Sequence, residues 1–366
     1  MIVVVADDFS GAAEVAGWAV AHGWHAELQT QFSRSTDAPL IVLDADTRSR
    51  SPSAAAARFE SLAAAVRAAQ PDGVFQKIDS VLRGHVALEA AAFARGLGKA
   101  RVVLAPANPS RGRVVRHGRY FIHDAPLDQT SFARDPEYPR RSSSVRELLG
   151  EPPDSATPLI VPDIASAADL HACLALLDDA SLPAGAADFF AAWLAQRTPP
   201  PGDSTPPLPL EFAARRLLVC GSPAAIAGGR IDASRAHQIE VFVADGPLDQ
   251  LATSLREALS QRGAALLTLE TADADLPELR RRLERLTASA AALIPHLGPL
   301  DVLVEGGATA GALVHALGVG RFRAAPQIAP GVAPLEPVSG AAWRLVCKPG
   351  SYDWPEGVWN GPAGGP

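Results

Sequence analysis

Four turns of this chain carry residue types that could do chemistry. Asp7 and Asp8 follow the run Ile2-Val-Val-Val-Ala6, and Ser10 and Gly11 stand just beyond. Adjacent carboxylates at a strand end accept hydroxyl protons, deprotonate a substrate or hold a cation. Helix capping competes with those roles, because Asp and Ser are preferred N-cap residues. Asp46-Thr-Arg-Ser-Arg50 follows a second apolar run. An arginine there can reach back over a sheet toward an anionic ligand, although a solvated loop is the simpler reading. Gln76 to His85 packs Lys77, Asp79, Ser80 and Arg83 into seven residues. Arginine clamps a carboxylate through two donors, lysine supplies a point charge, and Asp and Ser hold hydroxyls, a set that suits a small polyhydroxy acid. Leu303 to Gly318 places Gly306, Gly307, Thr309 and Gly311 between a strand and a helix. Glycines there let backbone N–H groups and a helix dipole approach phosphate oxygens. Gly221-Ser222 and Lys348-Pro-Gly350 are two more strand-end turns of the same kind. Neither GxxxxGK[ST] nor GxGxxG occurs in the chain.

The elements that must position these turns recur in both halves: a short apolar strand, a Gly/Ser/Asp turn, then an Ala-rich helix. Strands are expected at Ile2–Val5, Leu40–Leu43, Val74–Gln76, Val102–Leu104 and Leu159–Val161. Later ones are expected at Arg216–Val219, Glu240–Val243, Ala265–Leu269, Val302–Val304 and Trp343–Cys347. Helices are expected across Ser10–Ala21, Ser53–Ala69, Val86–Leu97, Ala165–Leu177, Pro223–Ala236, Pro247–Arg262, Leu276–Ile294 and Thr309–Leu317. The alternation predicts an α/β protein of two domains, each a mainly parallel sheet flanked by helices. Between Thr198 and Leu210 six of thirteen residues are proline, which reads as a linker. The domains then span 1–197 and 211–366, with the linker at 198–210. Arg113–Pro139 is rich in Gly, Pro and aromatics and is an irregular excursion: a lid, a contact in a homodimer or a plain hairpin.

Composition narrows the partners. The 366 residues carry 33 Lys+Arg against 40 Asp+Glu, a net charge of -7, which argues against nucleic acid or an anionic membrane as partner. Only Lys77, Lys99 and Lys348 are lysines; the other 30 cations are arginine. The three cysteines are far apart and fit a reducing cytosol. No basic leader precedes the first apolar run and no stretch is long enough to span a bilayer, so a cytoplasmic protein is expected. Nine histidines show no metal-binding spacing, and no metal ligands are assigned.

Together the turns resemble the four-carbon acid sugar kinase family. ADDFSGAAE, TRSR, KIDSVLRG, APANPSRGR, HDAPLDQTSFARDP, VCGS, VEGGATAGALV, APGVAPL and CKPG fall in that family's order. The resemblance implies a sugar-acid-binding N-terminal domain, an ATP-binding C-terminal domain with Mg²⁺, and phosphorylation of a terminal hydroxyl of threonate, erythronate or an oxo-tetronate. It implies that Asp7, Asp8, Arg50 and the segment Lys77, Asp79, Ser80 and Arg83 meet the acid. Asp8 is then the preferred base and Asp79 its rival. Ser222, Gly306, Gly307, Ala308, Thr309, Gly311, Gly331, Lys348 and Gly350 would meet the nucleotide. The chain departs from the family's pattern at Ser10, Glu14, Val81, Ala308 and Asp353. Those departures motivate two alternatives: a catalytically altered sensor of the same fold, or a kinase for another small hydroxy acid.

Overall fold

The computed structural model describes residues 1–150, 157–199, 212–245, 247–271 and 274–359. The proline-rich linker expected at 198–210 lies outside them except for Thr198 and Pro199. The chain divides into two compact units. The first comprises Met1–Val15, Gly23–His25 and Gln29–Ser204, and the second Ala16–His22, Ala26–Leu28 and Thr205–Pro366. Both are mixed α/β. Among the described residues no helix is long and apolar enough to cross a membrane.

In the first unit six parallel strands run in the order Leu40–Asp44, Ile2–Ala6, Gly73–Lys77, Ser181–Gly185, Arg101–Ala105 and Leu159–Ile160. Ile2–Ala6 is buried at every residue, as a strand covered on both faces must be. Val5 stands in register with Leu43 and Gln76, so the turns after these strands open at one end of the sheet. The helices Pro52–Ala69 and Val86–Leu97 belong to crossovers running the same way across the sheet. Right-handed connections therefore put both on one face, where Phe59 meets Phe93 edge-on. On the other face Phe75 packs against Phe189, Phe190 and Trp193 of the helix Ala187–Leu194. That helix and the strand Ser181–Gly185 were not expected. The strand contains Pro183 and Gly185 and no β-branched residue, so it lacks a strand signature.

The excursion after Arg113 is an antiparallel three-stranded sheet of Arg113–Arg116, Arg119–Ile122 and Ala125–Pro126. Both of its turns are two residues long with positive φ throughout: His117 (50°) with Gly118 (68°), then His123 (46°) with Asp124 (67°). This is the turn geometry that matches strand twist in tight hairpins.

The second unit orders its strands Glu240–Val243, Ala264–Thr268, Arg216–Cys220, Leu300–Glu305 and Trp343–Lys348, all parallel. Ala333–Pro337 and Arg321–Ala324 then continue the sheet antiparallel. These last two strands were also not expected. The single helix expected over Pro223–Ala236 is two, Pro223–Ala227 and Arg230–Ala236. The break falls at Gly228-Gly229, where Gly229 takes φ 89°, a conformation that costs other residues dearly.

Candidate functional site

At the open end of the first sheet, one arginine gathers three carboxylates. Asp7 ends the run after the first strand, and its main-chain oxygen accepts from the N–H groups of Thr47 and Arg48. This fixes the second loop over the first. Arg48 then donates from Nε to Asp7 Oδ2 at 2.7 Å and from Nη1 to Asp8 Oδ2 at 2.6 Å. Its Nη2 lies 3.5 Å from Asp79 Oδ1. Asp8 is completed by Ser10 Oγ at 2.8 Å on Oδ2 and the Gly11 N–H at 2.8 Å on Oδ1. A Cβ on Gly11 would stand 2.8 Å from that Oδ1, so the turn requires glycine.

Asp79 organises the third loop. Its carboxylate accepts the N–H groups of Val81 and Arg83 at 3.2 and 3.0 Å and the Arg83 guanidinium at 2.8 and 3.1 Å. Arg83 also reaches Asp135 at 3.3 Å. Arg113 donates to Ser80 Oγ at 2.5 Å, and Arg83 and Arg113 both lie over the Phe132 ring. Lys77 is buried, with Nζ 3.0 Å from the Ile78 carbonyl and 3.3 Å from Glu14. Tyr138 closes the edge by donating its hydroxyl to the Arg48 carbonyl.

The charges explain the protonation states. Burial raises the pKa of Asp79, but Arg83 and Arg48 outweigh it and hold the carboxyl far below the usual range. Asp7 goes the other way: burial raises it and the Asp8 charge adds, while Arg48 opposes both. Guanidinium groups over an aromatic ring beside fixed carboxylates and hydroxyls can bind a hydroxylated carboxylic acid.

Asp7, Asp8, Lys77, Asp79, Ser80 and Arg83 are therefore all placed at this end of the sheet. Arg50 is not among them. It is half exposed and pairs with the exposed Asp46 at 2.7 Å, because the loop turns at Asp46 with φ 51° and delivers Arg48 to Asp7 instead. Arg48, Arg113 and Asp135 were not singled out individually, although each lies in a motif quoted for the family resemblance.

In the second unit the glycine turns meet through a chain of close contacts. Gly306, at φ 88°, has open space where a Cβ would stand. Its N–H donates to the Lys348 carbonyl at 2.9 Å, and a Cβ on Gly350 would stand 3.8 Å from its Cα. The helix Gly307–Leu317 begins there, so the first-turn N–H groups of Gly307, Ala308 and Thr309 have no acceptor within the helix. Gly311 lies in its second turn. A Cβ on Gly221 would clash with Thr309 and Leu283, and one on Gly331 with the Tyr352 ring. Ser222 caps the short helix after it, accepting the Ala225 N–H at 3.3 Å.

Lys348, expected at the nucleotide phosphates, is instead fully buried with every proton on a protein acceptor. These are Glu305 Oε1 at 2.6 Å, the Tyr352 carbonyl at 2.6 Å and the Pro349 carbonyl at 3.2 Å. Arg230 holds the same glutamate with two donors, at 2.8 and 3.0 Å. The open glycine cradle fits phosphate oxygens. It does not fit a protein-held Mg²⁺: Glu305 is committed to two cations and Ala308 has no ligand atom. Among the described residues no group of three or more His, Cys, Asp or Glu could hold a metal ion.

One α/β unit thus carries a charge-dense strand-end site and the other an open glycine turn at a helix N-terminus. Residues 2–181 match the family model described as a sugar-binding N-terminal domain, and residues 225–352 the one described as a nucleotide-binding C-terminal domain. The chain belongs to the four-carbon acid sugar kinase family. It is similar to the D-threonate kinase of Bordetella bronchiseptica, 29% identical over 394 residues covering 96% of this chain and 94% of that one. It is also similar to the 3-oxo-tetronate kinase of Burkholderia multivorans, 28% identical over 95% of this chain and 93% of that one. Its match to the D-threonate kinase of Salmonella typhimurium is 30% identical but covers 40% of this chain and 36% of that one. Solved structures from Haemophilus influenzae and Salmonella typhimurium share the fold. Their TM-scores are 0.67 and 0.69, at 18% and 20% identity, and each comparison covers 96% of this chain and 97% or 96% of the other.

Proposed function

We propose that the protein is an ATP-dependent kinase that phosphorylates the terminal hydroxyl of a four-carbon sugar acid of the threonate, erythronate or oxo-tetronate type. The observation that carries this reading is the Arg48 bridge over Asp7, Asp8 and Asp79, in a chain whose long-range relatives are named as kinases of such acids. Phosphoryl transfer needs positioning and charge neutralisation more than covalent chemistry from the protein. Arg83 and Arg113 would face the acid's carboxylate, and Ser80 and Lys77 its hydroxyls. Asp8 is the better base. Asp79 accepts four close hydrogen bonds and is held strongly acidic, which makes it a poor proton acceptor. ATP phosphates would lie on the N–H groups of Gly307 to Thr309, with Gly306 and Gly350 leaving room. Mg²⁺ would arrive with the phosphates, as it does where one or two carboxylates at most assist.

A coupled ADP-release assay over D-threonate, D-erythronate and 3-oxo-tetronate tests the reading. Turnover with one of them, lost in Asp8→Asn, is the expected result. Absence of turnover with every acid, from folded protein with Mg²⁺, would overturn it. One observation favours a second reading, a nucleotide or sugar-acid sensor: the cradle carries Ala308 and an already neutralised Glu305. Calorimetry showing that the acid or ATP binds without phosphorylated product would select the sensor.

A further inference from the structure

Behind the Arg48 bridge lies a layer of buried polar atoms with no hydrogen-bond partner. Glu89, in the first turn of the helix Val86–Leu97, is fully buried and neither carboxyl oxygen has a partner. Asp7 Oδ1, Thr47 Oγ1 and both amide atoms of Gln76 are in the same condition. Gln76 alternates with Phe75, so it faces the side of the sheet that carries this helix. It stands in register with Val5, two residues before Asp7. The outer oxygen of Asp7 is taken by Arg48 at 2.7 Å; its inner oxygen is open.

Two carboxyl groups buried close together cannot both ionise without a compensating positive charge. Burial first, and then the charge of Asp7, push Glu89 up to about 8, with the nearby Thr47 hydroxyl and Arg48 opposing. Other charges around this helix are engaged elsewhere. On the helix Pro52–Ala69, Arg58 donates to the Ala45 and Thr30 carbonyls, Glu60 pairs with Arg95, and Arg67 lies by Gly98 at the far end. Arg101, on a neighbouring strand, pairs with Asp178; the other neighbouring strand, Ser181–Gly185, carries no charge. Glu89 is thus faced by Asp7, Thr47 and Arg48, and its charge also reaches Tyr138.

We propose that Glu89 is a proton-bearing positioning residue. Its carboxylic acid donates a hydrogen bond to Asp7 Oδ1, which leaves Asp7 ionised on Arg48 and Arg48 aimed at Asp8. When that proton is lost, a second negative charge behind Asp7 draws Arg48 inward and loosens its hold on Asp8. The catalytic consequence rests on the sugar-acid reading of this site; the protonation itself does not.

Two arms keep the two claims apart. The first needs no activity. A carboxyl whose folded pKa is raised stabilises fully below its unfolded pKa, near 4.3, and loses that contribution as pH rises to the folded value. Glu89→Gln keeps a donor toward Asp7 and cannot ionise. The melting temperature of the variant relative to wild type is therefore expected to climb from about pH 5 to about pH 8 and then level off. Carbon-13 glutamate NMR of the wild type, which needs no variant, should show one carboxyl titrating near 8. A flat difference in melting temperature with no such resonance overturns the proposal. So does a difference that follows K⁺ or Na⁺ rather than pH, which would put a cation in place of the proton. In the second arm, the KM for the acid is expected to rise severalfold above about pH 8 in wild type and not in Glu89→Gln. Persistence of that rise in the variant overturns the positioning role. Inactivity of both proteins on every acid would count against the kinase reading, while the first arm still decides where the proton resides.

Discussion

Replacing Arg48 and, separately, Arg50 by alanine distinguishes the residue the structure puts at the carboxylates from its neighbour two positions on. The Arg48 side chain is only 16% exposed and touches Asp7, Asp8 and Asp79. Removing one partner of a buried pair costs about 3–5 kcal/mol, because the remaining charge is left without compensation. Here the loss concentrates on one residue. Asp8 keeps Ser10 and Gly11, and Asp79 keeps the Arg83 fork. Among the described residues Asp7 has no other cationic partner, and its Oδ1 keeps only the proton proposed for Glu89. A loss near the lower figure, about 3 kcal/mol, is expected at pH 7. Arg50 and Asp46 are 46% and 72% exposed, and exposed pairs contribute about 0.2–1 kcal/mol. At about 2–4 °C per kcal/mol for a unit of this size, Arg48→Ala should melt about 6–12 °C below wild type and Arg50→Ala within about 4 °C.

The pH dependence supplies a second check. Without Arg48 the folded-state pKa of Asp7, already raised by burial, rises further. A raised carboxyl stabilises at low pH and loses that contribution as pH increases, so the deficit of Arg48→Ala should be smallest in acid and grow toward neutrality. Calorimetric melting at several pH values measures both. Equal losses for the two variants, or a deficit of Arg48→Ala below about 2 °C at pH 7, would refute the assignment of Arg48 as the bridge.

The remaining predictions concern the second unit. Lys348→Met leaves Glu305 with Arg230 alone and frees the Tyr352 and Pro349 carbonyls; a stability loss of about 3–5 kcal/mol is expected. Unchanged melting with abolished ATP binding in calorimetry would instead make the ammonium a direct phosphate ligand. Gly331→Ala drives a Cβ to within 2.3 Å of the Tyr352 ring at φ 77°. Overpacking of about 1–3 kcal/mol adds to the cost of left-handed backbone, about 1–2 kcal/mol, and melting temperature should drop accordingly. Gly306→Ala adds its methyl to open space, so its stability cost is that of a backbone at φ 88° and ψ 146°, about 1–3 kcal/mol. Its larger effect should be weaker ATP binding, and equal ATP affinity in wild type and variant would remove Gly306 from the cradle.

Much of the first site was legible because the physics of parallel sheets concentrates function at strand ends. Asp7, Asp8, Lys77, Asp79, Ser80 and Arg83 are read from turns after strands whose β-branched or apolar runs are plain in the sequence. Arg48 and Arg50 differ only in the path of a five-residue loop. That path is set by Asp46 in the left-handed region and by the Asp44 carboxylate accepting the Asp46 N–H at 2.9 Å, which no periodicity encodes. Arg113, Phe132 and Asp135 come from the excursion, where hairpin turns of His-Gly and His-Asp lack the commonest sequence signature. Glu89 reads as an ordinary acidic residue in the first turn of a helix. Its burial follows from the packing of that helix beneath the loops, which is a tertiary property.

The scarcity of lysine now has a physical reason at two of three positions. Lys99 is half-buried and donates to the Asp179 carbonyl at 2.7 Å. Lys77 and Lys348 are buried, and each ion-pairs with a glutamate and donates to a main-chain carbonyl. An ammonium has three protons, and around Lys348 three acceptors wait. A guanidinium would bring five donors into the same space and leave some of them unpaired, at about 1–3 kcal/mol each. A compact cation is required there. Its effect on a phosphate is then a matter of field rather than contact. Glu305 is the last residue of its strand, directly before Gly306, and an uncompensated carboxylate in that position would repel the phosphate oxygens proposed for the cradle. Lys348 and Arg230 together outnumber it by one charge, so the ground beneath the cradle is positive. In a low-dielectric strand end, that charge acts on an anion without touching it.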